Sequence, residues 1–156
     1  MRKMSFAFAA AFALPFVSSV SAQAPAPIDL EAVQPINGSW TYAATAGGSE
    51  ATFKDAAGAN RLVLRCNRSA RTVSIVRSEV PAAAAALSIW TSSIARSVPS
   101  RFLATRELVA DLAATDALLD AIAFSRGRVA TAAAGAPMVA VPAAPEATRV
   151  IEDCRG

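Results

Sequence analysis

Two cysteines, Cys66 and Cys154, stand 88 residues apart, and each lies in line with an apolar face of its own segment. Arg61 to Cys66 reads RLVLRC, so Leu62, Leu64 and Cys66 share one side of a strand, while Arg61, Val63 and Arg65 take the other. Further on, Ala147, Val150, Ile151 and Cys154 recur at i, i+3, i+4 and i+7, the spacing of one helical face. Pro145 suits the first position of that helix. Both thiols therefore point inward, and a Cys66–Cys154 bond is expected to staple a C-terminal helix onto a sheet. Two buried free thiols are the alternative. In the chain-entropy view, closing a loop of that length is worth roughly 4–5 kcal/mol.

The rest of the pattern is sheet first and mixed later. Strands are expected at Ser39–Ala44, which carries Trp40 and Tyr42, and at Glu50–Lys54, where Ala51 and Phe53 share a face. More are expected at Arg61–Cys66, at Thr72–Ser78 with Val73 and Ile75 on one side, and at Ala86–Ser92. Gly47-Gly48 and the stretch Asp55–Asn60 read as turns. The period then changes. Phe102–Leu112 places Leu108, Val109 and Leu112 on one helical stripe, and Asp116 is a plausible N-cap for a second helical turn carrying Leu118 and Leu119. Ile122–Ala130 is expected as a strand interrupted at Arg126-Gly127-Arg128, and Met138–Val141 as another, ended by Pro142. The expectation is an α+β domain. It has an antiparallel sheet of about five to seven strands, a mid-chain helix, and a C-terminal helix stapled by one disulfide.

The first residues read as an export signal. Arg2 and Lys3 precede the apolar run Phe6–Val17, and Val20-Ser21-Ala22 offers small residues for cleavage after Ala22. The run is shorter than the ~20 apolar residues that a membrane span needs, and no later segment reaches that length. The expected layout is a signal peptide over 1–22, a Pro/Ala-rich linker over 23–36 and a single α+β domain over 37–156. Losing Arg2 and Lys3 leaves 13 basic residues of the original 15 against 12 acidic ones, so the net charge falls from +3 to +1. That removes the electrostatic case for nucleic acid or an anionic membrane surface as a partner. An exported chain with two cysteines is also the setting in which a bridge forms.

The chain has no histidine. A Ser-His-Asp triad, a Cys-His dyad and histidine metal sites are excluded, and two cysteines do not make a structural zinc site of the usual kind. The sequence presents no catalytic set, no metal site and no cofactor motif. Three groups remain. Ser125-Arg126-Gly127-Arg128 can present two guanidinium forks to a carboxylate or phosphate, although a hairpin with solvated arginines accounts for the same residues. Thr91-Ser92-Ser93 with Arg96 and Arg101 forms a second polar cluster, which capping also explains. Arg126, Arg128 and Arg96 are thus the candidates for binding an anion or a partner. Asp116 and Asp120, four apart, are the one carboxylate pair that could divide acid and base roles, against a plain reading as an N-cap and a solvated aspartate.

The segments LVLRC, TSSIAR, RELVADLAATDALLDAIAFSRGRV, MVAVP and PEATRVIEDCR resemble small exported proteins of Gram-negative alphaproteobacteria. The layout is also similar to that of invasion-associated-locus-B-like proteins and of VasI-type accessory proteins of type VI secretion. The shared features are a Trp-bearing first strand (Trp40), the Leu62–Cys66 strand, a helix with Leu108 and Leu112, and a terminal helix holding Cys154. These families bring no catalytic residues to carry over. Small size, an export signal, a single expected staple and the lack of a catalytic set point to a periplasmic or secreted, non-enzymatic protein that binds, or is accessory to, another envelope protein. A small carboxylate-dependent hydrolase is the alternative.

Overall fold

In the computed structural model, which describes residues 24–156, the alternating segments form ten strands in two sheets, and every strand pairing is antiparallel. The export signal expected over 1–22 lies outside the described residues. The first four strands, β1 (Gly38–Thr45), β2 (Gly48–Asp55), β3 (Asn60–Asn67) and β4 (Thr72–Arg77), follow one another as a meander. Then come β5 (Ala86–Trp90), β6 (Ala95–Pro99), β7 (Arg101–Phe102), β8 (Leu108–Ala113), β9 (Arg128–Ala133) and β10 (Val139–Pro142). One sheet has six strands in the order β1-β2-β3-β4-β8-β7, and the other has four in the order β10-β9-β5-β6. Helix α1 (Ala117–Ala123) joins β8 to β9, and α2 (Pro145–Arg155) follows β10.

The alternation read in β3 holds. Leu62, Leu64 and Cys66 face the main core with Phe53, Ile75 and Leu108, while Val63 packs on the opposite side with Val76, Val109 and Leu103. The main core is completed by Leu87 and Ile89 of β5, Leu118 and Leu119 of α1, and Val150 and Ile151 of α2. Cys66 and Cys154 are bonded, with their Cα atoms 5.4 Å apart, so α2 is stapled to β3. Gly48 lies against this staple. A Cβ there would meet the Cys66 carbonyl oxygen at 2.3 Å, closer than packing allows, so only glycine lets β2 approach β3 here.

Phe102–Leu112 is not a helix. Residues 101–102 form β7, residues 108–113 form β8, and the turn between them is closed by Leu103 N–H to Glu107 O and Arg106 N–H to Leu103 O. The expectation failed because Leu108 and Leu112 are four apart, a spacing that fits both a helical turn and two steps of a strand. Val109, placed on the helical stripe, instead joins the small cluster on the outer face. Beyond Val109 the outer face is exposed, at Asp111 and Ala113. The helix in this region lies later, at Ala117–Ala123, capped by Asp116 as its sequence suggested. Ile122 belongs to that helix, and the following strand begins only at Arg128, after Gly127 turns the chain at φ 81°.

The Pro/Ala-rich stretch expected as a linker has neither strand nor helix over residues 24–36, yet it is held against the domain. Ile28, Leu30 and Val33 pack on Trp90, Ala130 and Ala140. The Trp90 Nε1–H donates to Ala26 O at 3.0 Å, and Ile36 N–H donates to Ala140 O at 2.9 Å. No helix among the described residues is long and apolar enough to cross a membrane.

Candidate functional site: an arginine-lined cleft

Two loops meet at one end of the four-stranded sheet, and serines fasten them. Helix α1 stops at Phe124, and a turn through Arg126-Gly127 leads into β9. Ser125 is buried at this turn. Its Oγ donates to Arg128 O at 2.6 Å and accepts from Ser92 N–H at 3.1 Å. Ser92 returns the contact, its Oγ accepting from Arg126 N–H at 3.0 Å. Thr91 closes its own loop, Oγ1 accepting from Ile94 N–H and donating to Ile94 O, both at 2.9 Å. These bonds fix where the two arginines leave the backbone.

The arginines then differ. Arg128 is half-buried and reaches the N-terminal strap, its Nη1 donating to Glu31 O at 2.8 Å and to Val33 O at 2.5 Å. Arg126 is exposed, and its guanidinium has no ion pair or hydrogen bond among the described residues. Both line a cleft of about 650 Å³ together with Ile28, Leu30, Glu31, Thr91 and Ser92. The cleft therefore offers one fixed and one free guanidinium, the Ser92 hydroxyl, and an apolar wall from the strap. Planar forks of this kind bind carboxylates or phosphates in two-point fashion.

Arg96 is not part of it. Its Nη2 lies 2.8 Å from Asp116 Oδ1, and Arg101 is likewise paired, with Asp111. The structure thus unites Arg126 and Arg128 with Thr91 and Ser92, and it separates Arg96 and Arg101 from them. The strap residues and the Ser92–Ser125 latch escaped the sequence reading. Their partners lie dozens of residues away, and no local spacing announces them.

Asp116 and Asp120 each have their own arginine. Asp116 also accepts from Leu118 N–H at 2.8 Å as the N-cap of α1, and Asp120 pairs with Arg155 at 2.7 Å. Burial pushes the Asp116 carboxyl up, but the hydrogen bond from Arg96, the Leu118 N–H and the Arg96 charge outweigh it and leave it below its ordinary value. A general acid at neutral pH needs the opposite shift. Because the folded value lies below the ordinary 3.8, the stability Asp116 contributes is full above that pH and is lost as pH falls through the folded value. Asp116→Ala is expected to cost about 1–2 kcal/mol at neutral pH, from the cap and the ion pair together. Melting curves of both forms should converge as the solution is made acid, and a gap that persists in strong acid would contradict this role. Among the described residues, no group of three or more Cys, Asp and Glu side chains is gathered as a metal site. No family model, curated protein or solved structure matches the chain.

Proposed function

We propose that this is an exported periplasmic protein without catalytic activity that binds another envelope protein, as an accessory factor or an inhibitor. Its partner contributes an acidic group to the cleft at Arg126 and Arg128. The observation that carries this reading is the unengaged Arg126 guanidinium at the mouth of a cleft whose backbone is fastened on both sides by Ser92 and Ser125. The backbone that bears Arg126 is already held, so binding costs side-chain freedom only, without ordering the loop. Arg128 acts as the clamp that keeps the strap, and with it the apolar wall, in place. The resemblance carried by Leu62–Cys66 and the Cys154 helix points the same way, since those families are exported and carry no known catalytic residues.

Arg126→Glu is the sharpest test, because it reverses the free charge and removes no internal bond made by the side chain. With the protein tagged at its C-terminus and cross-linked in living cells, a single partner should co-purify near stoichiometry. Recovery should fall about tenfold or more with Arg126→Glu, as loss of one charge-assisted contact implies. Melting should be unchanged. Equal recovery of the partner by the variant would remove the cleft from the interface.

A further inference from the structure

Strand β1 leaves one edge of the six-stranded sheet open. Its pairing with β2 is continuous from Gly38↔Asp55 to Thr45↔Gly48 across a two-residue turn, without a bulge. In such a ladder alternate residues point their N–H and C=O groups to opposite sides. Two bonds fix which residues point which way. Asn37 O accepts from Ala56 N–H on the β2 side, whereas Ile36 N–H donates to Ala140 O on the other. The even-numbered residues of β1 therefore present their backbone groups away from β2. Tyr42 and Ala44 have no backbone partner there among the described residues.

Sheet edges of this kind are normally blunted by proline, lysine, bulges or a covering loop. The eight residues GSWTYAAT contain none of these and no charge. Beside the edge runs a groove of about 540 Å³, lined by Trp40, Thr41 and Tyr42 from the strand and by Pro145, Glu146 and Arg149 from α2. The guanidinium of Arg149 sits over the Tyr42 ring at 4.1 Å, and Tyr42 OH donates to Asp153 Oδ2 at 2.7 Å, so this side of α2 is fixed relative to the strand. The helix thus carries one acidic and one basic residue, a single turn apart, along an unprotected edge.

That arrangement is self-complementary. We propose that the edge pairs with β1 of a second copy, antiparallel about a two-fold axis near Thr41. Trp40 of each copy then lies opposite Tyr42 of the other, an aromatic cross-strand pair. The two α2 helices run side by side in opposite directions, and Glu146 of each faces Arg149 of the other. A two-fold contact requires that one patch fit itself, which an acidic and a basic residue side by side on one helix permit. The pairing joins two six-stranded sheets into one and closes the open edge. It is independent of the Arg126 cleft, which lies on the four-stranded sheet.

Sedimentation of the purified protein over a range of concentrations tests this. The wild type should be a dimer. Ala44→Pro deletes an N–H that points away from β2, so the monomer keeps its ladder while the dimer loses two bonds by symmetry. Arg149→Glu sets like charges across the axis. Each variant should raise the dimer dissociation constant about tenfold or more. Ala44→Pro should melt like a wild-type monomer, whereas Arg149→Glu also gives up its contact with the Tyr42 ring and is compared with the double swap, which lacks it too. Adding Glu146→Arg to Arg149→Glu restores opposite charges and should restore the dimer. A wild type that is monomeric throughout, a dimer indifferent to Ala44→Pro, or a charge swap that fails to restore association overturns the proposal.

Discussion

Replacing Cys66 and Cys154 together by serine is expected to lower stability by about 2–5 kcal/mol, because the unfolded chain regains the freedom that the bridge denies it. For a domain of this size that is a fall in melting midpoint of roughly 10–20 °C. The loop held by the bridge contains β4 to β10, hence the whole of the second sheet. Both sulfurs are buried in the main core, where they also hold α2 over β3. Removing both avoids leaving one reactive thiol behind. Alanine at the two positions separates the cross-link from the polarity of the buried hydroxyls, and a reductant acting on the wild type should reproduce the fall. Urea unfolding is the measurement. A loss below about 1 kcal/mol would mean that packing alone seats α2.

Phe53→Ala is expected to cost about 3–5 kcal/mol, the largest effect of any single side chain here. Phe53 is completely buried, and its ring meets Trp40 edge-on, with centroids 5.5 Å apart at 68°. The site cannot collapse to fill the vacancy. Trp40 is tied by its Nε1–H to Pro142 O at 2.8 Å, and on the other side Gly38 has only its hydrogen. The fit is tight enough that a Cβ on Gly38 would fall 2.6 Å from Phe53 Cζ. Phe53→Leu keeps most of the volume and should cost clearly less. Equal losses for the two variants in chemical denaturation would show that the ring's shape, rather than the cavity, sets the stability.

What the sequence revealed and what it hid have a common physical cause. Features carried by short-range periodicity were legible. The Leu62/Leu64/Cys66 face, the Asp116 cap and Pro145 at the start of α2 all depend on residues within two turns or a few strand positions. From these the inward direction of both cysteines followed, and with it the bridge. Features that depend on what covers a segment were not legible. In Leu108–Ala113 the inward residues Leu108, Ala110 and Leu112 alternate with Val109, Asp111 and Ala113, but Val109 is also buried beneath Leu103, and that one apolar residue on the outer face made the run look helical. The second sheet was hidden for a similar reason, since β6 is short and mostly polar or exposed. Arg77 shows the limit from the other side. Two steps on from Val73 and Ile75, it continues their inward face, and it is buried with its Nη1 donating to Ser78 O at 2.6 Å. Burial and the nearby Arg61 charge pull its pKa down. The candidate cleft was half legible. Arg126 and Arg128 were marked by their own types around a glycine. The strap and the serine latch that shape the cleft come from distant parts of the chain.

The position of the two cysteines also sets an order of events while the chain is being made. Cys66 emerges first and must wait for 88 further residues before its mate exists. During that interval the early meander stands without its staple. The only disulfide open to an unfinished chain joins it to another molecule through the same thiol. An oxidant that acts too soon therefore produces tangled pairs of incomplete chains, whereas one that acts late finds Cys154 already delivered to Cys66 by α2.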